Sequence, residues 1–166
     1  FREIFAGYYG HRLPEPAPYR KFVAWLADQD HGAAEAAWRQ VLDGFDTPTL
    51  VGPPGRLVLG PRGVESFQVS AETTEALAEL ARSQHTTVST VLQTGWAQVL
   101  MMLTGRKDVA FGTAVSGRPA ELAGADSIVG LLINTVPVRA TATAAGTVAD
   151  LLCQVQRDHN DTLEHE

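Results

Sequence analysis

Hydrophobic residues recur at helical spacing along much of the chain, and the longest such pattern lies between residues 86 and 105. Its apolar members are three or four positions apart: Val88, Val91, Leu92, Trp96, Val99, Leu100 and Leu103. Residues at this spacing share one face of an α-helix, so the pattern predicts a helix that packs this face into the core. Gly105 follows the last apolar position and is predicted to cap the helix.

Shorter patterns of the same kind predict further helices. Their apolar positions are Phe1, Ile4, Phe5 and Tyr8; Tyr19, Phe22, Trp25 and Leu26; Ala34, Ala37, Trp38, Val41 and Leu42; and Leu151, Leu152 and Val155 within 148–163. Ser70 is a predicted N-cap for another helix, whose first turn carries Glu72 at the positive end of the helix dipole. The stretch from Thr47 to Gly63 is rich in Pro and Gly and predicts a long connection.

Two stretches alternate in residue type from one position to the next, which is typical of β-strands with two unlike faces. They are Val64–Ser70 and Val109–Ser116. In the second stretch one face carries Val109, Phe111, Thr113 and Val115, and the other carries Ala110, Gly112, Ala114 and Ser116. A face of such small residues lets another group approach closely. That group would be either a packed helix or a ligand in a passage.

The stretch Ile128–Arg139 reads IVGLLINTVPVR and predicts a strand covered on both faces. Asn134 interrupts the apolar run, and alternation puts it on the same face as Leu132 and Val136. A buried amide needs hydrogen-bond partners, so Asn134 would be either a clamp on neighbouring backbone or a ligand contact. Pro137 cannot donate to a ladder, which indicates an edge strand, a bulge or a strand that leaves its sheet.

Arg118 stands between a glycine and a proline, directly after the strand predicted at Val109–Ser116. Two roles fit this position, namely an exposed turn residue or a fixed cation at the mouth of a passage.

The composition is that of one globular domain, with 166 residues of which 45% are hydrophobic and 19% charged. The net charge is −6 and the basic residues do not cluster, which argues against nucleic-acid and acidic membrane partners. No segment approaches the roughly 20 apolar residues of a membrane span. Cys153 is the only cysteine, so we expect a reducing, cytoplasmic setting and interpret Cys153 as a small buried hydrophobe.

The sequence shows no catalytic motif of its own. Its five histidines are scattered, and their spacing predicts no metal site. A nucleophile elbow and a glycine-rich phosphate loop are both absent from the sequence, and Cys153 has no evident base to activate it. We therefore predict no catalytic residue and no metal ligand in this chain.

Several motifs resemble those of the condensation domains of nonribosomal peptide synthetases. In IVGLLINTVPVR the matching residues are Val129, Gly130, Asn134, Thr135 and Arg139. PYRKFVAWL is similar to the family's upstream aromatic motif through Tyr19, Phe22 and Trp25. The span from Ser89 and Trp96 through DVAFGTAVSGRP, and the later DHNDTLEHE, are similar to the flanking segments.

The resemblance implies an α/β fold, a chloramphenicol acetyltransferase-like lobe with a mixed sheet covered by helices. The family's His-His-x-x-x-Asp-Gly motif, whose second His is catalytic, is absent here, as is its final Arg-Asp motif. We therefore expect a C-terminal lobe, truncated at its C-terminus, that has no amide-forming activity alone. The expected divisions are 1–44 for the end of the N-terminal lobe and the lobe junction, 45–63 for the connecting loop and 64–166 for the C-terminal lobe.

The implied function of the parent is amide-bond formation between aminoacyl or peptidyl groups on carrier proteins. By resemblance, a substrate tunnel is lined by Ser116, Gly117, Arg118 and Asn134, with Ser89 and Trp96 behind them. No cofactor is expected to bind directly, because the carriers deliver the phosphopantetheine arm. The expected partners are the N-terminal lobe, the donor and acceptor peptidyl carrier proteins and the adjacent adenylation domain.

Other members of the superfamily remain alternatives. INTVPVR favours condensation over epimerization, whereas heterocyclization relatives differ mainly in the other lobe. A condensation-like docking platform that recruits a tailoring protein is a further possibility of a different class. An intact His-His-x-x-x-Asp-Gly motif upstream would distinguish an enzyme from such a platform.

Overall fold

The computed structural model describes residues 2–52 and 63–165. Within these ranges the helices are Arg2–Tyr8 (α1), Arg20–Ala27 (α2), His31–Val41 (α3), Ala71–Ser83 (α4), Val88–Thr104 (α5) and Val148–Thr162 (α6). The strands are Asp108–Ser116 (β1) and Ile133–Thr141 (β2), and short 3-10 turns lie at Ala125–Ser127 and Leu163–His165. The chain divides into a first unit, 1–31 with 114–134, and a second unit, 32–113 with 135–166.

The helix ends follow from local side-chain chemistry. Ser70 accepts a hydrogen bond from the Thr73 amide and so caps α4, as predicted. A reciprocal pair caps α6, because the Thr147 hydroxyl accepts from the Asp150 amide and the Asp150 carboxylate accepts from the Thr147 amide. Gly105 adopts a left-handed conformation with φ of 67° directly after α5, which confirms it as the predicted C-cap.

The second unit contains a hydrophobic core to which α5, the two strands and α6 contribute. Its buried members are Ala97, Leu100, Val109, Ala140, Leu151 and Val155. The prediction that Leu151, Leu152 and Val155 lie on the buried face of the last helix is confirmed. Cys153 on the same helix is exposed, so the interpretation of this thiol as a buried hydrophobe is wrong.

The predicted helix at residues 88–104 exists, but the face it buries differs from the predicted one. The apolar residues Leu92, Trp96 and Leu103 are exposed by 57%, 51% and 60%. The buried positions on α5 are Thr90, Thr94, Ala97 and Leu100. Leu100 is buried as predicted, whereas the rest of the buried face consists of small and hydroxyl-bearing residues, which allows α4 and α6 to pack close to α5.

The two strands pair in one antiparallel sheet. The Ala142 amide donates to the Lys107 carbonyl at 2.7 Å beyond one end, and the Gly117 amide donates to the Leu132 carbonyl at 2.5 Å beyond the other. Both bonds fit one register, which places Pro137 at a position whose missing N–H points away from β1. Helices with a sheet confirm the predicted α/β class.

Three predictions about strands need correction or lie outside the described residues. The predicted strand Ile128–Arg139 begins only at Ile133, and residues 128–132 form an irregular segment that leads into β2. Val64–Ser70 forms no strand, and Val64 and Phe67 are exposed by 87% and 86%. Alternation alone does not form a strand when no neighbour pairs with it, and the described sheet contains only β1 and β2. Residues 53–62 of the predicted connection lie outside the described part of the chain.

Candidate substrate-contact site

Arg118, in the first unit, is held by backbone carbonyls. Its Nη1 donates to the carbonyl of Ala125 at 2.5 Å and to that of Ile128 at 3.3 Å. The residue as a whole is exposed, and its guanidinium is held at Nη1 by these two carbonyls. Arg118 is therefore exposed, as a turn residue is, and its guanidinium is held in a fixed position.

Ser116 and Gly117, next to Arg118, lie at the end of β1. Ser116 is exposed, and the Gly117 amide donates to the Leu132 carbonyl. A Cβ at position 117 would lie 2.8 Å from that carbonyl oxygen, so only glycine permits this close approach. The first unit thus joins the end of β1 to the segment that leads into β2.

Asn134 is exposed, which contradicts its prediction as a buried amide. Alternation did identify its neighbours correctly, because Leu132 and Val136 on the same face are both buried. The cause of the error lies in the position of Asn134 along the strand. Burial of β2 starts at Val136, and the first three residues of the strand are exposed.

Ser89 and Trp96 belong to the second unit, so the structure places four of the predicted tunnel residues in one unit and two in the other. Both lie on α5 and seven residues apart, which puts them on one face of the helix. Ser89 is exposed, and Gln93 Nε2 lies within 3.4 Å of its hydroxyl oxygen. This α5 face is available to contact a ligand or another protein element.

At Gly112, the structure shows why this face of β1 carries a small residue. A Cβ at this position would lie 2.9 Å from Cγ2 of Thr135, so the neighbouring strand itself needs the space. Ala114 and Ser116 on the same face are exposed. At Gly112 the group that closely approaches this face is therefore a side chain of β2.

Tyr19 and Gly130 form a contact that the sequence analysis did not single out as part of the site. The Tyr19 hydroxyl donates to the Leu131 carbonyl at 2.9 Å. A Cβ at Gly130 would lie no more than 3.0 Å from three ring carbons of Tyr19. Each residue belongs to a motif that the resemblance had identified, but their contact joins positions more than 100 residues apart.

Other chemical features of the described residues lie away from these positions. Within 2–52 and 63–165, no group of three or more His, Cys, Asp or Glu side chains could hold a metal ion. A groove of about 230 Å³ in the second unit is lined by residues of α6 and of the turn after α4, among them Cys153 and Gln156. Among the helices described for 2–52 and 63–165, none combines the length with the apolar character that a membrane span requires.

Residues 1–166 match the protein family described as Condensation domain. The chain is 38% identical to a chondramide synthase of Chondromyces crocatus over 176 aligned residues, which cover 99% of the chain and 4% of that protein. It is 36% identical to bacitracin synthase 3 of Bacillus licheniformis, with 89% of the chain and 2% of that protein covered. The chain therefore spans only a small part of the curated relatives that it matches.

A solved structure with the same fold is the first condensation domain of the CDA synthetase. It superposes with a TM-score of 0.72 at 24% identity, and the match covers 96% of this chain and 37% of that one. At this identity the likeness shows the fold, which is the chloramphenicol acetyltransferase-like fold predicted from the motifs.

Proposed function

Because the chain belongs to the condensation domain family, we propose that it is the C-terminal lobe of a domain that forms amide bonds in nonribosomal peptide synthesis. The observation that carries this proposal is the family match over residues 1–166. In the proposed reaction, an amine on the acceptor carrier attacks the thioester carbonyl on the donor carrier. A C–N bond forms, the C–S bond breaks, and the donor carrier is left with a free thiol.

The proposed role of this lobe is to position substrate, and two features of the first unit support it. Ser116, Arg118 and Asn134 are exposed polar side chains at the end of β1 and the start of β2. Arg118 is fixed by two carbonyls, so its remaining N–H groups are preorganised donors. Groups of this kind orient a bound thioester without transferring protons.

The same proposal assigns Ser89 and Trp96 a contact with substrate from the exposed face of α5. Their exposure supports that assignment, because a buried indole would be unavailable to a ligand. The proposed division of the chain at residues 44 and 63 also stands as part of this proposal. The proposed partners are an N-terminal lobe, two peptidyl carrier proteins with their phosphopantetheine arms, and an adenylation domain.

The test uses the complete condensation domain with donor and acceptor carriers, each loaded with an aminoacyl group, and measures the dipeptidyl product by mass spectrometry. The proposal expects product with the complete domain and none with residues 1–166 alone. Asn134→Ala is expected to reduce the rate of amide formation by about tenfold with little change in thermal stability, since Asn134 is exposed. Binding of both carriers without any product would contradict the proposal and favour a docking platform.

A further inference from the structure

The segment 128–132 leads into β2 without being part of the strand, and donors from elsewhere in the first unit hold its carbonyls. Arg118 donates to Ile128, Tyr19 donates to Leu131, and the Gly117 amide donates to Leu132. An irregular segment lacks the regular ladder that fixes a strand, so these donors determine the path of its backbone.

Tyr19 holds this segment in two ways at once. Its hydroxyl donates to the Leu131 carbonyl at 2.9 Å, and its ring occupies the space that a side chain at Gly130 would fill. Val129 and Leu131 are 78% and 75% exposed, and the hydrogen bond from Tyr19 goes to the backbone of the segment. Tyr19 therefore controls where the chain runs just before Asn134, four residues after Gly130.

We propose that Tyr19 is a positioning residue, which acts through the backbone of Gly130 and Leu131 to fix Asn134 for the amide-forming reaction. This inference rests on the proposed function. Its physical basis is that a displacement of about 1 Å in a substrate-orienting group can cost about a hundredfold in rate. A methyl group at position 130 cannot coexist with the Tyr19 ring, so either the ring or the segment must move.

The test is made in the complete condensation domain with both carriers loaded. Gly130→Ala is expected to lower kcat for amide formation by about 10- to 100-fold, while KM for each loaded carrier changes less than about twofold. In a Tyr19→Ala background, the same Gly130→Ala change is expected to cost less than about threefold, because the ring no longer opposes the methyl group. Tyr19→Phe keeps the ring and loses only the hydroxyl, and it is expected to lower kcat by about three- to tenfold.

The matched control is Gly7→Ala in α1 of the same unit. A Cβ there would lie 3.8 Å from Cδ1 of Leu13, an ordinary contact, so kcat should equal that of the unsubstituted domain. If Gly130→Ala does not fold, Tyr19→Phe still decides the question. Equal kcat in Tyr19→Phe and the unsubstituted domain would overturn the inference.

A second readout is independent of activity. Hydrogen–deuterium exchange of peptides covering residues 128–136 should rise in Gly130→Ala and in Tyr19→Phe, and should stay unchanged in Gly7→Ala. Unchanged exchange in both Gly130→Ala and Tyr19→Phe would overturn the inference even if the domain is active. If the unsubstituted domain forms no amide, the proposed function fails, and the exchange experiment still decides whether Tyr19 fixes this segment.

Discussion

Arg139 on β2 binds Asp108 on β1 through both carboxylate oxygens. Nε donates to Oδ1 at 3.0 Å and Nη2 donates to Oδ2 at 2.9 Å. The remaining Nη1 donates to the carbonyls of Val41 and Asp43 at the end of α3, at 3.0 and 2.6 Å. One guanidinium therefore joins both strands to α3, a geometry that the planar fork of arginine permits and the single ammonium of lysine does not.

Replacement of Arg139 should strongly destabilise the second unit. Arg139→Ala removes the guanidinium from two carbonyls and from a partly buried carboxylate that keeps a hydrogen bond from the Thr141 hydroxyl. We expect a loss of about 2–3 kcal/mol in the free energy of unfolding. Arg139→Lys should lose a smaller amount, because the charge is kept and the fork is lost. Urea denaturation measures both losses.

The control for this prediction is Arg39→Ala in the same unit. Arg39 pairs with Glu35 at 2.6 Å, but both side chains are largely exposed, so its loss should cost less than about 0.5 kcal/mol. Similar losses for Arg39→Ala and Arg139→Ala would contradict a special role for the Arg139 contacts.

The same pair predicts a dependence of stability on pH. The hydrogen bonds from Arg139 lower the pKa of Asp108, against the opposing effect of burial. A carboxyl whose folded pKa lies below its unfolded value stabilises the protein above that unfolded value, and the contribution is lost as the pH falls through the folded pKa. The stability gap between the unsubstituted protein and Asp108→Asn should therefore be widest near neutral pH and narrow in acid. Urea denaturation at a series of pH values measures it, and a gap that is constant with pH would contradict the assignment.

The existence of the helices could be predicted from the sequence because their signals are local. The face that α5 buries could not, because it depends on which neighbours pack against the helix. Thr94 can be buried without an unsatisfied hydroxyl, because that hydroxyl donates to the Thr90 carbonyl of the preceding turn at 2.8 Å. The Thr90 hydroxyl donates to Gln156 Oε1 on α6 at 3.1 Å. A polar residue satisfied in this way is compatible with the core, and a count of apolar residues overlooks it.

Prediction from the sequence meets the same limit at the candidate site, where tertiary contacts decide the outcome. The motifs identified Tyr19, Gly130 and Asn134 as residues of the family, but the contact between the first two spans more than 100 positions of sequence. Strand alternation put Asn134 on the correct face and could not show that this end of β2 is uncovered. The sequence therefore predicts which residues share a face, and only tertiary packing decides which of those residues is buried.

The N-terminus of α6 should depend on Thr147. Its hydroxyl accepts from the Asp150 amide at 3.2 Å, and the Thr147 amide donates to Asp150 Oδ2 at 2.7 Å. Thr147→Ala should cost about 1 kcal/mol of unfolding free energy, because the cap is lost while the helix stays partly buried. Thr47→Ala, in an exposed loop, is the control and should change stability by less than about 0.5 kcal/mol in the same urea titration. Equal effects of the two substitutions would show that the cap contributes nothing.

Asp158 on α6 should make stability depend on pH in the direction opposite to Asp108. Burial raises the pKa of Asp158, and the neighbouring charge of Asp161 acts in the same direction, while a hydrogen bond from Gln154 opposes them. A carboxyl with a raised folded pKa stabilises the protein below its unfolded pKa, and that contribution is lost as the pH rises through the folded value.

Asp158→Asn should therefore be more stable than the unsubstituted protein at neutral pH, because the amide oxygen can still accept from Gln154 and carries no charge to desolvate. The advantage should shrink as the pH is lowered until Asp158 is protonated in both the folded and the unfolded state. Urea denaturation of the two proteins between about pH 3 and about pH 7 measures this difference. Glu75→Gln on the exposed part of α4 is the control, since it removes a carboxylate without relieving burial. If Asp158→Asn were less stable at every pH, the ionised carboxylate of Asp158 would stabilise the fold. That result would contradict the destabilisation expected from burying its charge.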